Sequence, residues 1–135
     1  MKYKIYLDDV RTPIANGWTV VRNYDEFVSK IEEIGLKNIE IISLDHDLGD
    51  SAMLEWYNGV SKNYVLNYDY ITEKTGMDCT KWLVEKWLDG EPVCKVMVHS
   101  ANAIGAANMM GYINNYLHLN RLQQNCARWE LPFKI

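Results

Sequence analysis

The chain has 135 residues, of which 48% are hydrophobic and 24% are charged. This share of apolar residues argues against a disordered chain, and the length predicts a single domain over residues 1–135. With a formal net charge of −4 and no basic stripe, the chain is not expected to wrap duplex DNA. The sequence contains no apolar run of the roughly 20 residues that a membrane helix needs.

The cysteines and the first residues predict a cytoplasmic protein. Cys79, Cys94 and Cys126 are odd in number, far apart and in no CxxC pair, which predicts buried, reduced thiols. The first nine residues, MKYKIYLDD, lack the apolar stretch of a secretory signal, because acidic residues arrive at Asp8 and Asp9.

Four runs of β-prone residues predict strands. Residues 39–44 are nearly all apolar and mostly β-branched, which is typical of a strand covered on both faces in a parallel sheet. The other three runs are bounded by polar residues or loop signals. The predicted strands are residues 3–7, 18–22, 39–44 and 93–98.

Helical periodicity appears between these strands. Phe27 and Ile31 lie on one apolar face of a predicted helix, which is capped by Asn23 or Asp25 and ends at Gly35. Apolar residues recur at helical spacing in two later segments, each of which follows a turn signal. These two predicted helices are residues 78–88 and 106–117.

The segment from residue 50 to residue 75 is rich in aromatic residues and has Asn58-Gly59 near its middle. This composition predicts a hairpin or an ordered flap, because the aromatic side chains can pack. Two roles stay open: a surface that stacks on nucleobases, or a self-packed segment or oligomer contact. The aromatic residues are Trp56, Tyr57, Tyr64, Tyr68 and Tyr70.

Strands that alternate with helices predict a mainly parallel, three-layer α/β sheet, on which the tail after residue 118 packs back through Trp129 and residues 131–133. Polar residues gather where three strands stop, and in a parallel sheet these ends share the edge where ligands bind. Four carboxylates would converge there, and their repulsion favours a bound Mg²⁺ or Mn²⁺. The carboxylates are Asp8, Asp9, Asp45 and Asp47, and the neighbouring polar residues are His46, His99, Ser100 and Asn102.

Four segments, YLDD with RTP, ISLDHDLG, TGMD and VHSANAIGAANM, resemble the cyclic-phosphate-processing receiver family. These proteins are stand-alone relatives of response-regulator receiver domains from bacteria and their phages. The resemblance runs from Tyr3 to about Tyr116 and implies a receiver-like, flavodoxin-like fold. It also implies that Asp8 and Asp9 match the acidic pair that holds Mg²⁺, together with the phosphoryl-accepting aspartate at Asp45.

The chain departs from a signalling receiver in ways that favour hydrolysis of a phosphate ester over a phosphorylation switch. No fifth strand with the receiver's lysine is recognisable after Tyr116, and the first receiver helix is reduced to a loop over residues 10–17. His46 and His99 stand at the pocket, where a signalling receiver does not require them. Residues 50–75 form an insertion. In the core that remains, the last strand–helix unit of a receiver is missing or remodelled.

The hypothesis that follows is a metal-dependent phosphoric-ester hydrolase. A divalent ion on Asp8, Asp9 and Asp45 polarises a phosphoryl oxygen and activates water. His46 and His99 act as general base and general acid, in either order. In an alternative mechanism, Asp45 attacks the phosphorus directly as a nucleophile.

Four further residues have roles in this hypothesis. Arg11 clamps phosphate oxygens, or instead only ties down its loop. Asn102 hydrogen-bonds the phosphate, or instead caps the helix that follows. The resemblance implies that Ser100 contacts the phosphoryl group. Asp47 completes the metal shell or orients a histidine.

The expected substrate is a cyclic or terminal phosphate on a phosphorylated nucleotide or an RNA end. The alternative is a catalytically inactive, receiver-like module that binds a partner protein, and a phosphorylation switch ranks last. The retained acids and two histidines favour the enzyme, because a scaffold has little use for clustered carboxylates. The sequence leaves open the oligomeric state and the choice between Mg²⁺ and Mn²⁺.

Overall fold

A four-stranded parallel sheet forms the centre of the molecule in the computed structural model, which describes residues 2–129 and the backbone of residues 133–134. The strands are β1 (Tyr3–Leu7), β2 (Thr12–Pro13), β3 (Trp18–Val21), β4 (Ile39–Leu44), β5 (Lys95–Val98) and β6 (Phe133–Lys134). The order in the sheet is β3-β1-β4-β5, and β2 pairs separately with β6 in an antiparallel ladder. The first strand is therefore flanked on both sides.

The described residues form α-helices, together with a π-helical turn and two 3₁₀ turns. The α-helices are α1 (Tyr24–Ile34), α2 (Asp50–Glu55), α3 (Ser61–Asn63), α4 (Gly76–Leu88) and α5 (Ala103–Leu119). The π turn spans Trp56–Val60, and the 3₁₀ turns span Leu36–Asn38 and Tyr68–Tyr70. Within residues 2–129 and 133–134, none of these helices combines the length and apolar character that crossing a membrane requires.

Local signals in the sequence define where the long helices begin and end. The side chain of Asn23 accepts a hydrogen bond from the backbone N–H of Glu26 at 2.9 Å, so Asn23 rather than Asp25 caps α1. Gly35 ends α1 with a φ of +87°, which glycine adopts without the steric cost of a Cβ. Thr75 begins α4 with a capping box.

The three long helices α1, α4 and α5 pack on one face of the sheet. Ile5, Leu7, Ile42 and Leu44 alternate along the two central strands and are fully buried in the same core as the apolar faces of these helices. Each such side chain stabilises the fold by about 1.5–3 kcal/mol through burial. The predicted parallel α/β sheet and its long helices are confirmed.

The last strand–helix unit of a receiver is remodelled in this chain. The N–H of Val98 donates to the carbonyl of Ala127 at 3.1 Å, and the N–H of Trp129 donates to the carbonyl of Val98 at 2.9 Å. A short parallel bridge thus stands where a fifth strand is expected, and the tail returns to the sheet at Trp129. Residues 8–17 contain no helix, as predicted, while residues 131–132 of the tail lie outside the described residues.

Residues 50–75, the predicted insertion, are mostly helical, so of the two predicted forms the hairpin is wrong and the ordered flap remains. Its Asn-Gly pair lies inside the π turn instead of at a reversal between two strands. Two glutamate side chains of the segment accept hydrogen bonds from the backbone of residues distant from them in its sequence. Glu55 Oε1 accepts from the backbone N–H of Asn67 at 3.1 Å, and Glu73 Oε1 accepts from that of Ala52 at 3.0 Å.

Candidate functional site

Three side chains from the ends of neighbouring strands meet at one point. Asp8 follows β1, Asp45 follows β4 and His99 follows β5, and all three are buried. One ligand atom from each of them lies within 4.8 Å of the other two. Two carboxylates and an imidazole at this spacing form a group that can hold a metal ion. The parallel topology therefore brings these residues together as the sequence predicts.

The ring of His99 is held on three sides. Its Nε2 lies 3.1 Å from Oδ2 of Asp8, and its Nδ1 lies 2.7 Å from the hydroxyl of Ser43. The ring stacks on Tyr6, with centroids 4.2 Å apart and planes 6° from parallel. These contacts leave the imidazole one orientation, with Nε2 directed at the acidic residues.

Asp8 is stabilised as a carboxylate by the loop that follows it. Its Oδ1 accepts hydrogen bonds from the backbone N–H groups of Val10 and Arg11 at 3.0 and 2.8 Å. The Arg11 guanidinium donates through Nε to Oδ2 at 2.8 Å and approaches Asp45 Oδ1 at 3.6 Å. Burial favours protonation, but the hydrogen bonds from His99 and this loop, with the charge of Arg11, outweigh it and lower the pKa of Asp8.

Asp45 lies in an unfavourable environment for a charged carboxylate. Burial, followed by the charge of Asp8, raises the pKa of Asp45 to about 8, although Arg11 and a hydrogen bond from the N–H of His46 oppose this. Burial and the charge of Asp8 also raise the pKa of Asp9. An added cation would offset this repulsion, so the residues present fit a divalent metal ion.

His46 belongs to a second hydrogen-bonded group and not to the cluster of Asp8, Asp45 and His99. Its fully buried ring pairs through Nδ1 with Asp47 Oδ1 at 2.6 Å and through Nε2 with the hydroxyl of Tyr68 at 2.9 Å. Both ring nitrogens are therefore engaged. Asp47 is thus placed to orient His46, which is one of the two roles predicted for Asp47. His46 is not part of the group formed by Asp8, Asp45 and His99.

Asn102 and Ser100 form the turn that leads into α5. Asn102 Oδ1 accepts from the N–H of Gly105 at 2.9 Å, so Asn102 caps the helix, which begins at Ala103 and thus earlier than predicted. The Nδ2 of Asn102 donates to Asp47 Oδ1 at 3.1 Å, and the hydroxyl oxygen of Ser100 accepts from the N–H of Asn102 at 3.1 Å. The side chain of Asn102 is thus committed to the protein on both of its polar atoms.

A cavity of about 250 Å³ opens beside the three-residue group. Asp45 belongs to both the group and the cavity lining, so a ligand in the cavity reaches the acidic cluster through Asp45. The polar lining residues are Asp9, Arg11, Asp45, Asp47, Ser100 and Asn102. The insertion contributes Met53 and Trp56 to the same lining, and Val10 and Ala101 complete it.

Sequence reasoning missed Arg22, which braces the loop after β1. Its Nη1 donates to the backbone carbonyls of Asp8 and Arg11 at 3.1 and 2.7 Å, and its Nη2 donates to the hydroxyl of Thr12 at 2.7 Å. In the sequence, the only sign of this role was the position of Arg22 at the end of a strand predicted to lie parallel to β1. Ser43 was missed as well, although a serine inside an apolar strand is a recognisable signal for a polar partner.

Comparison with known proteins identifies the family. The family model described as cyclic-phosphate processing receiver domain matches residues 3–115, which is most of the chain. No curated protein and no solved structure matches the chain. The chain therefore belongs to the family of cyclic-phosphate processing receiver domains.

Proposed function

From this family membership, we propose that the protein is a metal-dependent hydrolase of a cyclic or terminal phosphate ester on a nucleotide or RNA end. The observation that carries the proposal is the spacing of Asp8, Asp45 and His99, whose ligand atoms lie within 4.8 Å of one another. Buried carboxylates in contact are costly, and they are useful chiefly where a cation or a shared proton is needed.

Asp8, Asp9 and Asp45 are the residues assigned to hold the metal ion. Asp8 and Asp45 are buried at the ends of adjacent strands, and Asp9 faces the cavity from the next position in the chain. Mg²⁺ or Mn²⁺ suits these oxygen donors, and such an ion supplies charge stabilisation at a phosphoryl oxygen and a more acidic water.

His99 is assigned to proton transfer. In the metal-free protein, Nε2–H of His99 donates to Oδ2 of Asp8. With a metal ion bound at Asp8 this charge compensation is no longer needed, and in the tautomer whose Nδ1–H donates to Ser43 the freed Nε2 lone pair would accept a proton from the attacking water. The water oxygen bonds to phosphorus, one ester P–O bond breaks, and the proton passes to the leaving oxygen. A cyclic diester thereby opens to a monoester with one free hydroxyl group.

Arg11 and Ser100 are assigned to the phosphate, and His46 to positioning. Arg11 places a positive charge in the cavity lining beside Asp45, and Ser100 has a hydroxyl hydrogen to donate there. We assign His46 to positioning Asp47, because its Nδ1 lies 2.6 Å from Oδ1 of Asp47.

The experiment incubates the protein with nucleoside 2′,3′-cyclic phosphates and Mg²⁺ or Mn²⁺, and follows the products by chromatography. Asp45→Asn and His99→Ala are compared with Asp89→Asn, which removes one exposed carboxylate outside the site. We expect metal-dependent turnover in the wild type and Asp89→Asn, and a loss of at least about 100-fold in the other two variants.

The metal affinity of the variants separates the assigned roles. Asp45→Asn should weaken Mn²⁺ binding together with turnover, whereas His99→Ala should reduce turnover much more than Mn²⁺ binding. The hydrolase proposal would be contradicted if none of the four common nucleoside 2′,3′-cyclic phosphates were hydrolysed with either metal.

One observation favours the second candidate, a catalytically inactive interaction module. The guanidinium of Arg11 already pairs with Asp8 and lies 3.6 Å from Asp45, so the protein itself supplies a cation to the acidic cluster. A module of this kind would show neither turnover nor a change in its melting temperature with millimolar Mn²⁺. Thermal denaturation with and without the metal distinguishes the two candidates.

A further inference from the structure

We propose that Trp56, supported by Met53, is the seat for a nucleobase, so that the substrate is a nucleoside cyclic phosphate and not a phosphate ester of any alcohol. This inference rests on the hydrolase proposed above and deepens it. The insertion thereby becomes a specificity element of the site.

The first argument is the composition of the cavity. Its polar lining comes from the three strand ends, while the insertion adds the apolar side chains of Met53 and Trp56. A phosphate group alone gains nothing from an apolar, aromatic wall. A ligand with an anionic end and a flat, apolar end matches both parts of the lining.

The second argument is the availability of the Trp56 ring. Trp56 is only partly buried, and Met53 is 54% exposed one helical turn earlier, on the same side of the insertion. Among residues 2–129, Trp56 is not one of the aromatic side chains that stack on another ring. Because Trp56 lines the cavity, its indole is within reach of a base bound there, and a base stacks on tryptophan without requiring a particular sequence.

The third argument is that the insertion presents Trp56 on a fixed support. Trp56 begins the π turn, a local widening of the helix that recurs at functional sites. Glu55, the preceding residue, is buried and accepts a hydrogen bond from the backbone N–H of Asn67. The hydroxyl of Tyr68 then joins the insertion to His46, at the edge of the sheet.

The size of the cavity limits the ligand. At about 250 Å³ it is slightly smaller than the roughly 300–1,000 Å³ typical of small-molecule sites. One nucleotide-sized group fits this space, and a longer strand would have to leave the cavity after its last nucleotide. The terminal nucleotide of an RNA and a free nucleoside cyclic phosphate share this chemistry.

The test measures binding by calorimetry, with Mn²⁺ present, in proteins that all carry His99→Ala to prevent turnover. The ligands are adenosine 2′,3′-cyclic phosphate and glycerol 1,2-cyclic phosphate, which has the same ring phosphate and no base. Trp56→Ala and the conservative Trp56→Phe are compared with Leu54→Ala, which removes an exposed apolar side chain from α2, directly before the π turn.

We expect Trp56→Ala to weaken adenosine cyclic phosphate binding by about tenfold or more and to leave glycerol cyclic phosphate unchanged. Trp56→Phe should retain most of the affinity, and Leu54→Ala all of it. Equal affinity in wild type and Trp56→Ala overturns the inference, and so does an equal loss for both ligands. Base-dependent binding without turnover in the His99-containing protein would instead overturn the hydrolase and retain the base seat.

Discussion

Arg11 and Asp8 form an ion pair in which Nε of Arg11 lies 2.8 Å from Oδ2 of Asp8, with the arginine side chain 14% exposed and the aspartate fully buried. The same guanidinium lies 3.6 Å from Asp45. Its positive charge therefore compensates two acids of the same group, which could hold a metal ion. The pair makes the cluster tolerable to the fold before any metal ion binds.

Replacing Arg11 by glutamine should destabilise the metal-free protein by about 3 kcal/mol, because a buried carboxylate loses its charged partner. Mn²⁺ should recover more stability in Arg11→Gln than in the wild type, since the ion then supplies the missing charge. Chemical denaturation with EDTA and with millimolar Mn²⁺ measures both effects. A smaller stabilisation by Mn²⁺ in the variant would show that Arg11 helps to hold the ion's ligands in place instead.

Asp45→Asn should make the metal-free protein more stable at neutral pH. The pKa of Asp45 is raised by burial, and then by Asp8, to about 8 in the folded protein, against 3.8 as the ordinary value. The folded state therefore binds the extra proton between about pH 4 and pH 8, so wild-type stability falls as the pH rises through this range. Asparagine cannot ionise, and its amide oxygen can still accept the hydrogen bond from the N–H of His46.

The expected gain for Asp45→Asn is close to zero at pH 4 and grows as the pH rises towards 8. Denaturation in EDTA at several pH values measures the difference between the two stability profiles. Asp89→Asn is the control, because its exposed carboxylate should leave the profile unchanged. Parallel profiles for wild type and Asp45→Asn would mean that the Asp45 carboxylate is not strained in the folded state.

The convergence of Asp8, Asp45 and His99 was predictable because it follows from topology. Strands that alternate with helices form a parallel sheet, and parallel strands end at the same edge of that sheet. Residues that directly follow the strands therefore lie close together, whichever rotamers their side chains adopt. Strong strand and helix patterns in the sequence likewise predicted the bounds of β1, β4 and α1 to within about one residue.

The hydrogen-bond partners of His46 were harder to predict, because they depend on the direction of one side chain and on a residue distant in the chain. Asp45 and His46 are neighbours in the chain, yet Asp45 lies close to Asp8 and His99, whereas His46 contacts Tyr68, 22 residues later. In the same way, the Asn58-Gly59 pair is a strong local signal for a hairpin. In the folded protein the pair lies in a π turn instead, within a segment in which the backbone N–H of Asn67 donates a hydrogen bond to Glu55.

The three thiols should be unreactive in the folded protein. Burial raises the pKa of Cys94 and that of Cys126 to about 12, and raises the pKa of Cys79 as well. The thiolate that reacts with a disulfide reagent is therefore scarce at pH 8. We expect fewer than one of the three cysteines to react with Ellman's reagent under native conditions, and all three to react in urea. Rapid labelling of Cys126 would indicate that the tail opens.

Tyr68→Phe should loosen the insertion while leaving the sheet intact. The tyrosine hydroxyl pairs with Nε2 of the fully buried His46 at 2.9 Å and also accepts from Asn108 Nδ2 at 3.3 Å. Removing it leaves a buried imidazole nitrogen without this partner, which should cost about 1 kcal/mol of unfolding free energy.

Tyr68→Phe should affect the local opening of the insertion more than the unfolding free energy of the whole protein. Tyr68 lies at the point where the insertion contacts both His46 and α5, so hydrogen exchange should accelerate over residues 50–75 and remain unchanged in β1 and β4. If the proposed base seat depends on this support, adenosine 2′,3′-cyclic phosphate should bind several-fold more weakly to the variant. Tyr70→Phe is the matched control, because Tyr70 is 68% exposed in the same 3₁₀ turn. Equal exchange rates over residues 50–75 in the two variants would show that the hydroxyl of Tyr68 does not anchor the insertion.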